Sequence, residues 1–122
     1  MPQPYFASYG LDLSPIDDEA ARALKRDHVA RRVAHTVLHV SGEGGAADID
    51  VSTTFLVDAA TEDDLGRPEL WETMVRVGED TYVNQRRYAT RQDAEAGHDQ
   101  TVALLRKDSD AFDITISETE SP

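Results

Sequence analysis

Four sets of side chains in this sequence are of types that could do chemistry. His98 follows Gly97 in "AEAGHDQ", on the apolar side of a stretch with helical periodicity. Beside Glu72 or Tyr88 it could serve as a general base or ligand, provided a pocket surrounds it; packed against a strand it is a hydrogen-bonded core histidine. His35 and His39 are four apart. On a helix that spacing suits one metal ion, but on a strand it spans ~13 Å, too far for both to reach it. Glu72 sits between Trp71 and Thr73, and Arg86, Arg87 and Tyr88 follow in the next segment. Paired with an arginine across a hairpin, Glu72 makes an ion pair of about 0.2–1 kcal/mol. Taken with Trp71, Arg86, Arg87 and Tyr88 it could instead form a partner-binding patch, since Trp, Tyr and Arg are enriched at binding hot spots. The fourth set, "TEDDLG", is dense in acids but lacks the D-x-D-x-D-G spacing of a calcium loop, so it reads as solvated.

Other chemistries lack their residues. With no cysteine, the chain has no disulfide, thiolate zinc site or Cys nucleophile. "SGEGG" precedes a strand rather than a helix and offers no helix N-terminus to a phosphate. No G-x-S-x-G elbow is present. The expected catalytic residues, metal ligands and cofactors are therefore none.

The elements that would hold these side chains follow from periodicity and local signals. "SPIDDEAARALKRDHVARR" opens like a helix: Ser14 can cap, Pro15 suits the first helical position, and Asp17 completes an S-x-x-D box. Acids at 17–19 and bases at 25–26 suit the helix dipole. Ile16, Ala20, Ala23 and Leu24 form its apolar stripe. Residues 33–41, rich in β-branched side chains, predict a strand. In "DIDVSTTFLVDA" Ile49, Val51, Thr53, Phe55 and Val57 alternate with polar residues, the pattern of a half-buried antiparallel strand. "LWETMVRV" and "TYVNQRRYAT" predict a hairpin about Gly78-Glu79-Asp80. Thr90, with Asp93 three residues on, predicts the start of a second helix. Its broad face is Ala94, Gly97, His98, Thr101, Val102, Leu104 and Leu105. "AFDITIS" predicts a last strand. Residues 1–13 read as an extended arm that Tyr5, Phe6, Tyr9 and Leu11 could dock onto the core, and 118–122 as a mobile tail.

The expected fold class is α+β: a four- or five-stranded antiparallel sheet with two helices mainly on one face, in the order α-β-β-β-β-α-β. The long second helix is expected over the third and fourth strands. A length of 122 residues and the absence of any low-complexity linker predict one domain over 1–122. The opening segment has no basic n-region or long apolar run, and no stretch approaches the ~20 apolar residues of a membrane helix, so a cytoplasmic location away from membranes is expected.

The net charge is −12, which disfavours direct binding to nucleic acid or anionic membrane. Arg22, Lys25, Arg26, Arg31 and Arg32 concentrate positive charge, whereas Glu43 to Asp80 holds eleven acids against Arg67 and Arg76. The acidic stretch is a solubilising surface, or else a face that mimics DNA or docks a basic partner.

Several blocks also resemble a family. "RRVAHT", "VSTTFL", "LWETMV", "RRYATRQDAEAGH" and "TVALLR" occur in the same order, at similar spacing, in small hypothetical proteins of bacteriophage and actinobacterial genomes. The resemblance spans residues 31–107, and "ETMV…RYAT…AEAGH" is its specific part. Val57-Asp58-Ala59-Ala60 stands where that group has Gly-Leu-Asp-His, and Arg76-Val77-Gly78 where it has a Phe-Gly-Gly. The resemblance implies no activity and no catalytic residues.

Together these features point away from an enzyme. They suggest a phage- or prophage-like protein that binds a protein partner or itself, with a homodimer through the edge of "AFDITIS". The competing expectations are an acidic DNA mimic that blocks a nucleic-acid-binding protein, and a small enzyme or ligand binder using His98.

Overall fold

The alternation of buried and polar residues over 45–55 sets the architecture. The computed structural model describes residues 8–42, 45–78, 81–111 and 115–121, with 81–84, 108–111 and 115–121 as backbone. Its elements are α1 (Asp18–Arg26), α2 (His28–Arg31), β1 (Arg32–Gly42), β2 (Gly45–Phe55), β3 (Trp71–Val77), β4 (Thr81–Tyr88), α3 (Arg91–Ala111) and β5 (Thr115–Ser121). The strands form one five-stranded antiparallel sheet in the order β4-β3-β2-β1-β5. The first four strands make a meander. After α3 the chain returns to pair β5 with β1 at the far edge. The class is α+β, with the helices against one face.

On the covered face lie Thr36 and Leu38 of β1, Val51, Thr53 and Phe55 of β2, and Trp71, Thr73 and Val75 of β3, all buried. Phe55 and Trp71 pack at 5.3 Å with a 58° tilt. Around them gather Ala21 of α1, Val57, Ala59, Leu70, Tyr88 and Ala94 of α3. Burying each of the larger apolar side chains contributes about 1.5–3 kcal/mol.

α1 begins later than expected. Ser14 gives its amide and hydroxyl to Asp12, and the backbone of Pro15 and Ile16 is taken up by Tyr9 and Ser8. The cap is therefore Asp17, which accepts the Ala20 amide at 2.8 Å. Ala21 is buried, with Ile16 and Leu24 half-buried against the core, while Ala20 and Ala23 are exposed; the apolar stripe is thus rotated from the expected one. Asp27 caps α2 through the Ala30 amide and ends α1. Arg31 binds this corner to the sheet through the Lys25 and Phe55 carbonyls.

Thr90 caps α3 as expected, accepting the Asp93 amide at 3.0 Å. α3 lies across β1, β2 and β3 as well as β4, not over the third and fourth strands alone. Leu104, expected on its buried face, is 62% exposed.

The N-terminal arm docks at Ser8 and Tyr9, while the C-terminus departs from expectation. Tyr9 donates its amide to Val57, the Ser8 hydroxyl binds Asp58, and Gly10–Leu13 closes as a turn. Glu118–Ser121, expected as mobile tail, pair with Leu38–His35 in β5. Residues 1–7, Phe112, Ile114 and Pro122 lie outside the described residues. Among the described residues no helix is long and apolar enough to cross a membrane.

Candidate functional site

His98 belongs to the core. It is 2% exposed. Nε2 lies 2.9 Å from the Thr36 hydroxyl and Nδ1 lies 2.8 Å from that of Thr53. Thr53 in turn meets Thr73 at 2.6 Å, and the Tyr88 hydroxyl donates to Thr73 at 3.2 Å. One imidazole thereby joins β1, β2 and, through two threonines, β3 and β4. Gly97 allows this approach, because a methyl there would fall inside the envelope of the Tyr88 ring. A buried imidazole with both nitrogens on hydroxyls is not placed to take a proton from a substrate. His98 lines neither cleft described below, and Glu72, its expected neighbour, is on the opposite face.

The expected patch of Trp71, Glu72, Arg86, Arg87 and Tyr88 is divided between the two faces. Trp71 and Tyr88, register partners, are 5% and 4% exposed in the core. Arg86 lies over the Tyr88 ring at 5.1 Å and reaches Gln100 of α3. Glu72 and Arg87 point the other way and pair at 2.8 Å, with Gln85 also on Glu72. Successive strand residues point to opposite faces, so neighbours in sequence do not make one surface.

The helix-free face carries a different set. His35 Nε2 meets Asp50 at 2.8 Å, and Arg76 approaches the same carboxylate oxygen at 3.7 Å. His39 pairs with Asp48 at 2.8 Å. The two histidines thus engage separate carboxylates, and no cluster of three metal-ligating side chains occurs among the described residues. Two adjoining shallow clefts open here. One, of about 490 Å³, is lined by Arg32, His35, Asp50, Ser52, Met74 and Arg76. The other, of about 460 Å³, shares Asp50 and Arg76 and adds Val37, Ala46, Ala47, Asp48 and Gly78. His35 Nδ1 and Arg76 Nε are buried without a hydrogen-bond partner among the described residues. Sequence reasoning missed Arg32, Asp50, Ser52, Met74 and Arg76 as a group. The available signal was their place on the polar side of each strand, but only the register brings them together.

The acidic loop is partly structural. Asp63 accepts the Leu65 and Arg67 amides and pairs with the Arg67 side chain. The Arg67 amide foremost, with its guanidinium and the Leu65 amide, outweighs desolvation and holds this carboxyl below the usual range. No family model, curated protein or solved structure matches this chain.

Proposed function

We propose that this is a small non-enzymatic protein, phage- or prophage-like and cytoplasmic, that binds a protein partner through the helix-free face of its sheet. One observation carries this reading: the polar side chains of the covered face are sealed and bonded in the core, whereas those of the other face line two open clefts. A sheet face that no element covers among the described residues, with half-buried Met74 and Val37 among charged groups, resembles a docking surface with an apolar centre and polar surround. The −12 charge disfavours nucleic acid as the partner. A DNA-mimic reading is weakened by Asp63, whose acceptors are turned to its own loop.

Capture of partners with the tagged full chain tests the reading. Met74→Glu on the open face is expected to abolish recovery of the specific partner, while Arg22→Glu on exposed α1 leaves it intact. Undiminished capture by a folded Met74→Glu protein would refute the open face as the docking surface. Light scattering at physiological salt separates a foreign partner from a second copy: a mass above the monomer that Met74→Glu returns to monomer would identify the chain as its own partner.

A further inference from the structure

The open-face clefts have a charge arrangement at odds with the rest of the molecule. In a chain of net charge −12, Arg32 and Arg76 converge on one cleft that contains a single carboxylate, Asp50. That carboxylate is already engaged by His35 at 2.8 Å and holds Arg76 only loosely at 3.7 Å. Arg32 has no hydrogen-bond or ion-pair partner among the described residues. The two guanidinium groups of Arg32 and Arg76 thus face one carboxylate.

A backbone irregularity creates this convergence. In a regular strand, residues three apart point to opposite faces, so Arg32 and His35 would be separated by the sheet. The register between β1 and β2 shifts between Arg32 and Ala34. Arg32 stands opposite Thr54, Ala34 opposite Thr53, and the extra residue, Val33, packs against the core. The bulge therefore turns Arg32 onto the same face as His35, and both line one cleft. Re-aiming a side chain is a recurrent use of such bulges. The effect is to put a guanidinium beside Ser52 and Met74, where an unbulged strand would not place it.

We infer that this cleft receives a carboxylate presented by the protein partner next to an apolar side chain. A planar guanidinium offers paired N–H donors to a carboxylate, and Arg32 has its donors free for one. One carboxylate matches the excess of Arg32 and Arg76 over Asp50, and a phosphate dianion would bring more negative charge beside Asp50. The adjoining cleft supplies the apolar contact through Val37, Ala46 and Ala47; its further carboxylate, Asp48, is engaged by His39, so the ligand's carboxylate is placed at Arg32 and its apolar side chain here. This inference rests on the open face being the docking face.

N-acetylleucine, a carboxylate with an apolar side chain, is the probe, titrated into the full chain with backbone amide shifts as the readout. It is expected to shift the amides of His35, Ser52, Met74 and Arg76 saturably. N-acetylleucinamide, its neutral counterpart, and inorganic phosphate are expected to bind at least about tenfold more weakly, the ratio expected from losing one charge-assisted contact. Arg32→Gln should weaken the probe about five- to tenfold, reduced by solvent screening, and Arg22→Gln should leave it unchanged. Since Arg32 has no partner to lose among the described residues, its variant should fold as the parent does. The inference is overturned if no saturable shift occurs, if the amide or phosphate binds as well as the acid, or if folded Arg32→Gln binds equally. Failure of the probe while Met74→Glu still abolishes partner capture would sink the carboxylate site and spare the docking face. Saturable binding of the probe with capture unaffected by Met74→Glu would instead refute the docking face, and with it the partner as the source of the carboxylate.

Discussion

The two faces of the sheet use similar side chains to opposite ends. On the covered face a histidine, three threonines and a tyrosine form a hydrogen-bonded chain beneath α3. On the open face histidines and arginines meet carboxylates, and Arg76 and His35 each keep a buried nitrogen without a partner among the described residues. The difference follows from water. Under the helix an unmet polar group costs about 1–3 kcal/mol, so neutral groups with complete bonding are stable there. A charge in that layer would cost far more. On the open side water screens the charges, and incomplete pairing is tolerated. Histidine is thus a structural cross-link on one face and a surface group on the other.

The largest expected effect is at Gly97. Gly97→Leu must lift α3 from Tyr88 and should destabilise the protein by about 3 kcal/mol, at the top of the range for overpacking. A denaturant titration with an unchanged midpoint would disprove the close approach. Tyr88→Phe would not relieve the clash, since ring carbons as well as the hydroxyl occupy the space.

His98→Leu comes next. It removes the partner common to Thr36 and Thr53 and should cost about 2 kcal/mol. Thr53 retains Thr73, so most of the loss should arise at Thr36. A thermal midpoint equal to that of the parent would break the contrast between the faces.

A smaller effect concerns Asp58, which joins the N-terminal segment to α1 through Ser8 and Lys25. Desolvation by itself raises its pKa, but the hydrogen bonds from Lys25 and Ser8 and the Lys25 charge prevail, leaving it below the ordinary 3.8. The carboxylate therefore contributes stability above that value, and the contribution disappears as pH falls through the lower folded value. Both partners are well exposed, so it should be under about 1 kcal/mol. Stability of the parent relative to Asp58→Asn should be constant near neutrality and shrink below about pH 4; a difference that grows on acidification would reverse the sign.

The smallest effect belongs to Glu72 and Arg87 on the open face. A double-mutant cycle should give a coupling of about 0.5 kcal/mol that fades with salt. A coupling several times larger and insensitive to salt would mean that the open face is as dry as the covered one.

Much of this division depends on what a linear pattern can carry. The strict alternation of Val51, Thr53 and Phe55 with Asp50, Ser52 and Thr54 determines a half-buried strand, because side chains on a strand change face at every residue. Thr90 with Asp93, and the helical spacing of Ala94, Gly97 and His98, likewise determine α3 and its inner face, since both are local signals. The start of α1 needed more. Ser14 and Asp17 are equally good caps by sequence, and the choice was made by Ser8 and Tyr9, which take the backbone of residues 15 and 16. Tertiary structure alone decided which side chains share a surface. The apparent patch at 71–72 and 86–88 was split because adjacent strand residues diverge. Arg32, His35, Asp50 and Arg76 were joined because register and a one-residue bulge act between strands, where sequence distance carries no information.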